Sequence, residues 1–327
     1  MSYTINDYSD CPKILKDFLF YMQTIKGRSA LTVDNYYMDL RTFIRFLKRH
    51  KKLVAKDIPF DEIDISDLST SLLSEVGLSD VYEFFNFIDR ERKNGARARA
   101  RKACSIRMFY KYLTHNVNLL ENNPVEYLEL PSLPKSLPKH MSLEQSIDLL
   151  SAFDEQSPFY YRDFCIITLF LNCGMRLSEL TGLNLNSVNQ NTLQVVGKGN
   201  KERMLYLNNA CIKALNDHLT ARSKMKNIVD REALFLNHHG KRLGQRGIQL
   251  MVSDLLEKAG LSDLGLSTHK LRHTAATLMY QYGEVDIRIL QEILGHSNLN
   301  TTQIYTHVAS KQRESAIESN PLAKFKK

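Results

Sequence analysis

Long apolar runs are missing from this 327-residue sequence. Its longest mostly apolar stretch, from Phe164 to Met175, falls far short of the ~20 residues that a membrane-spanning helix needs. The N-terminus, MSYTINDYSD, has neither the basic start nor the apolar stretch of a secretory signal, so the chain reads as cytoplasmic. Cysteine is sparse, odd in number and scattered (Cys11, Cys104, Cys165, Cys173, Cys211). No CxxC or Cys/His pair has metal-ligand spacing, so reduced, mostly buried thiols are expected and cysteine chemistry is not. Acid is also in deficit, with 36 acidic against 44 basic residues and a formal charge of +8. That excess favours a polyanionic partner, nucleic acid first, because basic groups that neutralise phosphates release condensed counterions. A protein that is merely basic would show the same balance. At 43% hydrophobic and 24% charged, the composition is that of an ordinary folded chain, long enough for two domains or one large one.

Proline is scarce except in one place. Four of the eight prolines (Pro124, Pro131, Pro134, Pro138) fall in NNPVEYLELPSLPKSLPKHMS. Each removes a backbone donor and biases its predecessor away from helix, so residues 131–140 read as an extended linker. In polyproline geometry those residues span about 30 Å, enough to pass along a duplex and set a domain on each side of it. The expected organisation is a domain over 1–130, the linker over 131–140, and a second domain over 141–327.

The first domain reads as helical. Ile14, Leu15, Phe18, Leu19 and Met22 form one apolar stripe, and Tyr36, Leu40, Phe43, Ile44 and Leu47 form another. A third segment, Val81 to Ile88, carries Phe84, Phe85 and Ile88, and a fourth runs from Arg97 to Leu113. Between Lys51 and Gly77 the chain is polar and poorly periodic, which predicts a loop with a short helix. In the second domain, Ser142 with Gln145 three residues on predicts a capping box that opens a helix with Ile147 and Leu150 on its apolar face. Phe164 to Cys173 predicts a helix buried nearly all round and ending at Gly174. Leu193–Val196, the turn Gly197-Lys198-Gly199-Asn200, and Arg203–Leu207 read as a β-hairpin. From Lys241 onward the pattern is helical again. The fold class is mostly α with one small β-sheet.

Two sets of residues point to chemistry. The stretch RARARKACSIRMFYKYL carries Arg97, Arg99, Arg101, Lys102, Arg107 and Lys111 without an acid, while Ile106, Phe109, Tyr110 and Leu113 form its buried stripe. A stripe of one sign repels itself unless a polyanion meets it, so phosphate contact is expected here over a plain solvated face. The second set lies beyond the linker: Arg176, Lys198 on the hairpin turn, His269 and Arg272 one helical turn apart, His296 at a helix end, and Tyr305. Taken singly, each has an ordinary structural explanation; Arg176, for example, can pair with Glu179.

Together the six make one device. Two guanidinium forks can neutralise the non-bridging oxygens of a phosphodiester as its phosphorus becomes five-coordinate. A phenol, pKa ~10, becomes a nucleophile once its proton is taken and its oxygen aligned in line with the leaving group. A lysine can protonate the departing oxygen, and histidines suit proton transfer and phosphate hydrogen bonding. No acidic metal-binding cluster accompanies the set, and no metal or other cofactor is expected.

CGMRLSEL, VVGKGNKERMLYL, HKLRH, ILGHSNLNTTQIYTHV and the linker LPSLPKSLPKHMS closely resemble the tyrosine recombinases of the Xer type. The likeness covers essentially all of residues 140–310 and is weaker before the linker, where the Lys51–Gly77 stretch is longer than usual for the family. The resemblance implies a SAM-like, core-binding helical domain that clamps DNA, followed by a catalytic domain with a tail helix. It maps the family's arginines to Arg176 and Arg272, its lysine to Lys198, its histidine positions to His269 and His296, and its nucleophile to Tyr305. Glu179 matches a position that buttresses Arg176, and Lys201 shares the hairpin with Lys198 as a second candidate for the lysine.

The implied reaction is exchange of DNA strands through a 3′-phosphotyrosyl link, needing neither nucleotide nor metal, by four protomers on two duplexes with or without a second related recombinase. The implied role is resolution of chromosome dimers at a specific site. Three alternatives keep parts of the reading: an integrase of a mobile element, a type IB topoisomerase, and a DNA-binding protein that kept the scaffold without the activity. The resemblance also implies that the tail, ESAIESNPLAKFKK, docks on a neighbouring subunit, a frayed terminus beyond Pro321 being the alternative.

Overall fold

The computed structural model describes Tyr8 and residues 10–130, 139–197, 201–283 and 285–295. The chain divides into two units, Met1–Lys135 and Ser136–Lys327. The expected apolar stripes turn inward in the first unit. Leu15, Phe18 and Leu19 are the buried face of α1 (Lys13–Phe20), which runs on through a turn of π-helix at Tyr21–Ile25. Ser29 caps α2 (Ala30–His50), its hydroxyl accepting from the amide of Thr32, and Leu40, Phe43, Ile44 and Leu47 all point into the core. Helices α3 (Thr70–Ser74), α4 (Leu78–Arg90) and α5 (Ala96–Lys111) complete the unit. Edge-on aromatic pairs join the layers, Phe18 to Phe109 at 5.3 Å and Phe43 to Phe84 at 5.1 Å between ring centroids.

The Lys51–Gly77 stretch holds its short helix, α3, but it is no mere surface loop. Ile63, Ile65, Leu68, Leu72, Leu73 and Val76 are buried. Two α2 side chains hold its backbone: Arg45 Nε donates to the Ile63 carbonyl at 2.9 Å, and Lys48 Nζ to that of Asp64 at 2.8 Å. Buried carbonyls outside helix or strand need such donors, and side chains supply them here.

In the second unit Ser142 and Gln145 form the expected capping box on α6 (Leu143–Ser151), each side chain meeting the other's backbone amide. The face differs from expectation: Ser146 and Leu149 turn inward, while Ile147 is 53% exposed and Leu150 only partly buried. The apolar residues there are too few for their spacing to fix which side faces the core. Helix α7 (Tyr160–Cys173) is buried on nearly every side and stops at Gly174, whose φ of +57° closes the helix in the left-handed conformation. After α8 (Leu177–Thr181), strands β1 (Val188–Asn189), β2 (Thr192–Val196) and β3 (Glu202–Tyr206) form an antiparallel sheet in that order. Helices α9 (Asn209–Ser223), α10 (Gln245–Lys258), α11 (Thr268–Tyr282) and α12 (Ile287–Leu294) follow.

Cys165, Cys173 and Cys211 are buried free thiols, whereas Cys104 is exposed. Among the described residues, no helix is long and apolar enough to cross a membrane.

Candidate active site

The site forms where α7 and α12 end. A helix leaves its last carbonyls without intrahelical partners, and a buried end must find donors for them. At α12 the donors are arginines. The carbonyl of Ile293 accepts from Arg203 Nε at 3.3 Å, that of Leu294 from Arg272 Nη2 at 2.6 Å, and that of Gly295 from Arg176 Nη2 at 2.7 Å. Arg272 also donates through Nη1 to the carbonyl of Gly174, the residue that ends α7, at 2.6 Å. The two guanidinium groups singled out in the sequence, on α11 and at the start of α8, therefore meet consecutive peptides of a third element.

Each is held differently. Arg272 lies one turn into α11 and is 2% exposed. Arg176 is the extended residue that precedes α8 and is only partly buried. Glu179, 2% exposed, reaches back to it: its Oε2 accepts the Arg176 amide at 2.8 Å and its Oε1 accepts Arg176 Nη1 at 2.7 Å. Burial alone would raise the Glu179 carboxyl, but Arg203, then the Arg176 amide and side chain, outweigh it and hold the carboxyl below the usual carboxylate range. Two guanidinium groups, those of Arg176 and Arg203, thus share one carboxylate, and with Arg272 on the adjoining carbonyl they leave a local excess of positive charge suited to a phosphodiester.

His269 sits one turn before Arg272 on α11, its ring edge-on to that of His273 at 4.6 Å between centroids. Lost hydration around the ring, then Arg272 and Arg176, push His269 below the usual histidine range, which favours the neutral ring. A neutral imidazole can accept a proton, which a cationic one cannot. Lys198, His296 and Tyr305 lie outside the described residues. The residues directly before Lys198 and His296, Gly197 and Gly295, flank the arginine cluster: a Cβ on Gly197 would stand 3.5 Å from Arg203 Nη1, and one on Gly295 would stand 3.0 Å from it. Lys201 is exposed at the far side of the hairpin turn.

Arg203 was not among the residues singled out from the sequence. Strand alternation contains the signal. Leu205 and Arg203 share the inward face of β3, and Arg203 pairs in register with the buried Val195. A charged residue at an inward strand position needs a buried partner, and Glu179 is that partner.

The basic stretch in the first unit divides into two groups. Arg97, Arg101, Arg107 and Lys111 are exposed, with Cys104, along one face of α5. With Met108, His115 and Asn123, Cys104, Arg107 and Lys111 line a groove of about 390 Å³. Lys102 is a correction to the expected stripe: it is buried, its Nζ lying 2.9 Å from Oδ1 of the fully buried Asp39 on α2. Ser105 and Arg101 donate to the other oxygen of Asp39, at 2.8 and 2.6 Å. Arg99, partly buried, pairs with Asp89. The acid missing from the helix itself is supplied by its neighbours.

Residues 140–312 match the phage integrase family model, and residues 15–116 match its N-terminal SAM-like domain. The chain is 49% identical over 312 residues to tyrosine recombinase XerC of Caldanaerobacter subterraneus subsp. tengcongensis, covering 95% of this chain and 88% of that protein. It is 33% identical to XerC of Chlamydia muridarum, over 91% of this chain and 94% of that one. To XerD of Listeria monocytogenes it is 32% identical, over 90% and 94%. The crystal structure of XerH recombinase bound to its difH substrate before cleavage shares the fold, with a TM-score of 0.67 at 22% identity over 93% of this chain and 83% of that one. The chain belongs to the phage integrase family as a tyrosine site-specific recombinase of the Xer type.

Proposed function

We propose that this recombinase resolves chromosome dimers by exchanging strands at a specific site, and that Arg176, Lys198, His269, Arg272, His296 and Tyr305 carry the reaction. One observation supports the site assignment above the others: two guanidinium groups from separate elements meet the consecutive carbonyls of Leu294 and Gly295, directly before His296 in the chain. In this reading the Tyr305 oxygen attacks a backbone phosphorus and the bond from phosphorus to the 5′-oxygen breaks. The phenolic proton passes to His269, and the departing oxygen takes a proton from Lys198. Arg176, Arg272 and His296 hold the phosphate while charge builds on its oxygens. The freed 5′-hydroxyl of the partner duplex then attacks the 3′-phosphotyrosine, restoring both the diester and the phenol. The covalent link conserves the energy of the broken bond, so strand exchange is balanced without a nucleotide or metal.

The acting assembly in this reading is four protomers on two duplexes of chromosomal DNA in the cytoplasm. Domain 1–130 contributes phosphate contacts through Arg97, Arg101 and Arg107, the linker 131–140 spans the duplex, and domain 141–327 carries the chemistry.

The test is to recover DNA covalently attached to the protein from cells and to sequence the attachment points, with a Tyr305→Phe variant alongside. Attachment at one chromosomal locus near the replication terminus, lost in Tyr305→Phe, is the expected result. Attachment at the ends of a mobile element would overturn the chromosomal role, and attachment that persists in Tyr305→Phe would overturn the nucleophile. Mass measurement of the assembled complex, with and without a second recombinase, separates a homotetramer from a mixed one.

A further inference from the structure

We propose that Arg203 is a positioning residue for strand cleavage: it neutralises Glu179 so that the charge of Arg176 stays available to the scissile phosphate, and it fixes the end of α12 that both reactive arginines touch. The inference rests on the recombinase reading above.

The interactions are specific. Arg203 grips Glu179 with both arms of its fork, Nη1 to Oε1 at 2.7 Å and Nη2 to Oε2 at 2.9 Å, while its Nε donates to the Ile293 carbonyl at 3.3 Å. Oε1 of Glu179 is shared, since Arg176 Nη1 lies 2.7 Å from it as well. The Glu179 side chain has no exposed surface, and burial weakens the solvent screening of its charge. Were Arg176 its sole partner, the pair would be neutral and the carboxylate would oppose an approaching phosphate. A second guanidinium makes the trio cationic. No lysine matches this geometry, because a point charge on a flexible stem cannot present the planar fork.

The packing around Arg203 has the same consequence. A Cβ on Gly295 would lie 3.0 Å from its Nη1 and 3.2 Å from its Cδ, and one on Gly197 would lie 3.5 Å from Nη1. These two glycines precede His296 and Lys198 in the chain. Arg203 is therefore tied through Glu179 to Arg176, and it packs against the residues that lead into two further members of the proposed site.

The test measures single-turnover formation of covalent complex on a nicked duplex bearing the mapped attachment site, beside DNA binding and thermal midpoint. Arg203→Ala should slow cleavage about ten- to a hundredfold, the range for removing a partner that orients a reactive group, while the dissociation constant for DNA stays within about twofold. Adding Glu179→Gln should recover part of that rate by removing the charge that Arg203 neutralised. If the role is packing alone, the double variant is disrupted at two positions and is as slow as the single one or slower, which overturns the proposal. Arg203→Gln keeps hydrogen-bonding groups at the position and gives the same comparison if the alanine variant does not fold. Arg203→Lys should be faster than Arg203→Ala, and equal rates would count against the charge argument. Wild-type cleavage with Arg203→Ala at the same rate overturns this inference alone. No covalent complex with the wild-type chain overturns the recombinase reading and the inference with it.

Discussion

Arg272 and Arg176 donate to neighbouring carbonyls, the first to Leu294 at 2.6 Å and the second to Gly295 at 2.7 Å. The end of α12 therefore acts as a template that sets the separation of two guanidinium groups. In the proposed reaction one phosphate meets both at once, and a fixed template limits how far either can drift.

Replacing Arg272 with lysine should expose that dependence. The ammonium keeps the charge but lacks the planar fork whose two arms donate to the carbonyls of Gly174 and Leu294. Single-turnover cleavage should fall by ~10²–10³-fold, the cost of losing one preorganised donor, with little change in DNA affinity. A gel-shift titration beside the cleavage assay separates the two. Equal losses in both would mean that Arg272 serves binding alone.

Gly174 is the second point of control. Its φ is +57°, and an added Cβ would lie 2.8 Å from Leu294 Cδ2. Gly174→Ala should destabilise the protein by about 1–3 kcal/mol through left-handed strain and overpacking. Cleavage should fall as well, since the carbonyls of Gly174 and Leu294 both hold Arg272. Gly260→Ala is the control: φ there is +69° and the space is open, so denaturant unfolding should show backbone strain without a change in cleavage rate.

The α5 stripe gives a prediction about salt. Arg97 and Arg107 are exposed and suit charge reversal, whereas Arg101 also holds the buried Asp39 and its reversal would set two carboxylates together. Arg97→Glu and Arg107→Glu should weaken binding to every DNA sequence and reduce the salt slope by about 1 for each phosphate no longer neutralised. An unchanged slope would remove this face from the DNA interface.

Acid should destabilise the second unit through His218. The ring is 3% exposed, lies 4.9 Å from that of Phe235, and has Nε2 at 3.0 Å from the Leu234 carbonyl. Burial pushes its pKa down to about 4 from 6.5. Between those values the unfolded chain binds more protons than the folded one, so stability is complete above pH 6.5 and is lost as pH falls towards 4. The loss from this residue is at most about 3 kcal/mol. His218→Gln should flatten urea-derived stability over that window, leaving the contribution of His273, which is also pushed down to about 4. A slope unchanged in His218→Gln would show that the ring titrates normally.

Local pattern carried much of the architecture. Spacing of apolar residues located α1, α2 and α4, Ser142 and Gln145 marked the start of α6, and Gly174 marked the end of α7. It failed where no period exists. The buried residues Ile63, Ile65 and Leu73 sit in a segment shaped by donors from α2, and no helical or strand repeat announces them. Lys102 shows the same limit: its partner Asp39 lies 63 positions away, so its inward aim cannot be inferred from α5 alone.

The order of amino acids determined which reactive groups this protein owns, which stretches coil, and which side of each coil is oily, because those properties follow from neighbours three or four positions apart. Packing of the second unit decided the rest. Arg176 and the carbonyl it caps are 119 positions apart, and Arg203 and its carbonyl are 90 apart. A helix end left without partners must be satisfied by whatever donors the fold delivers to it. Only the burial of α12 in three dimensions selected these three arginines.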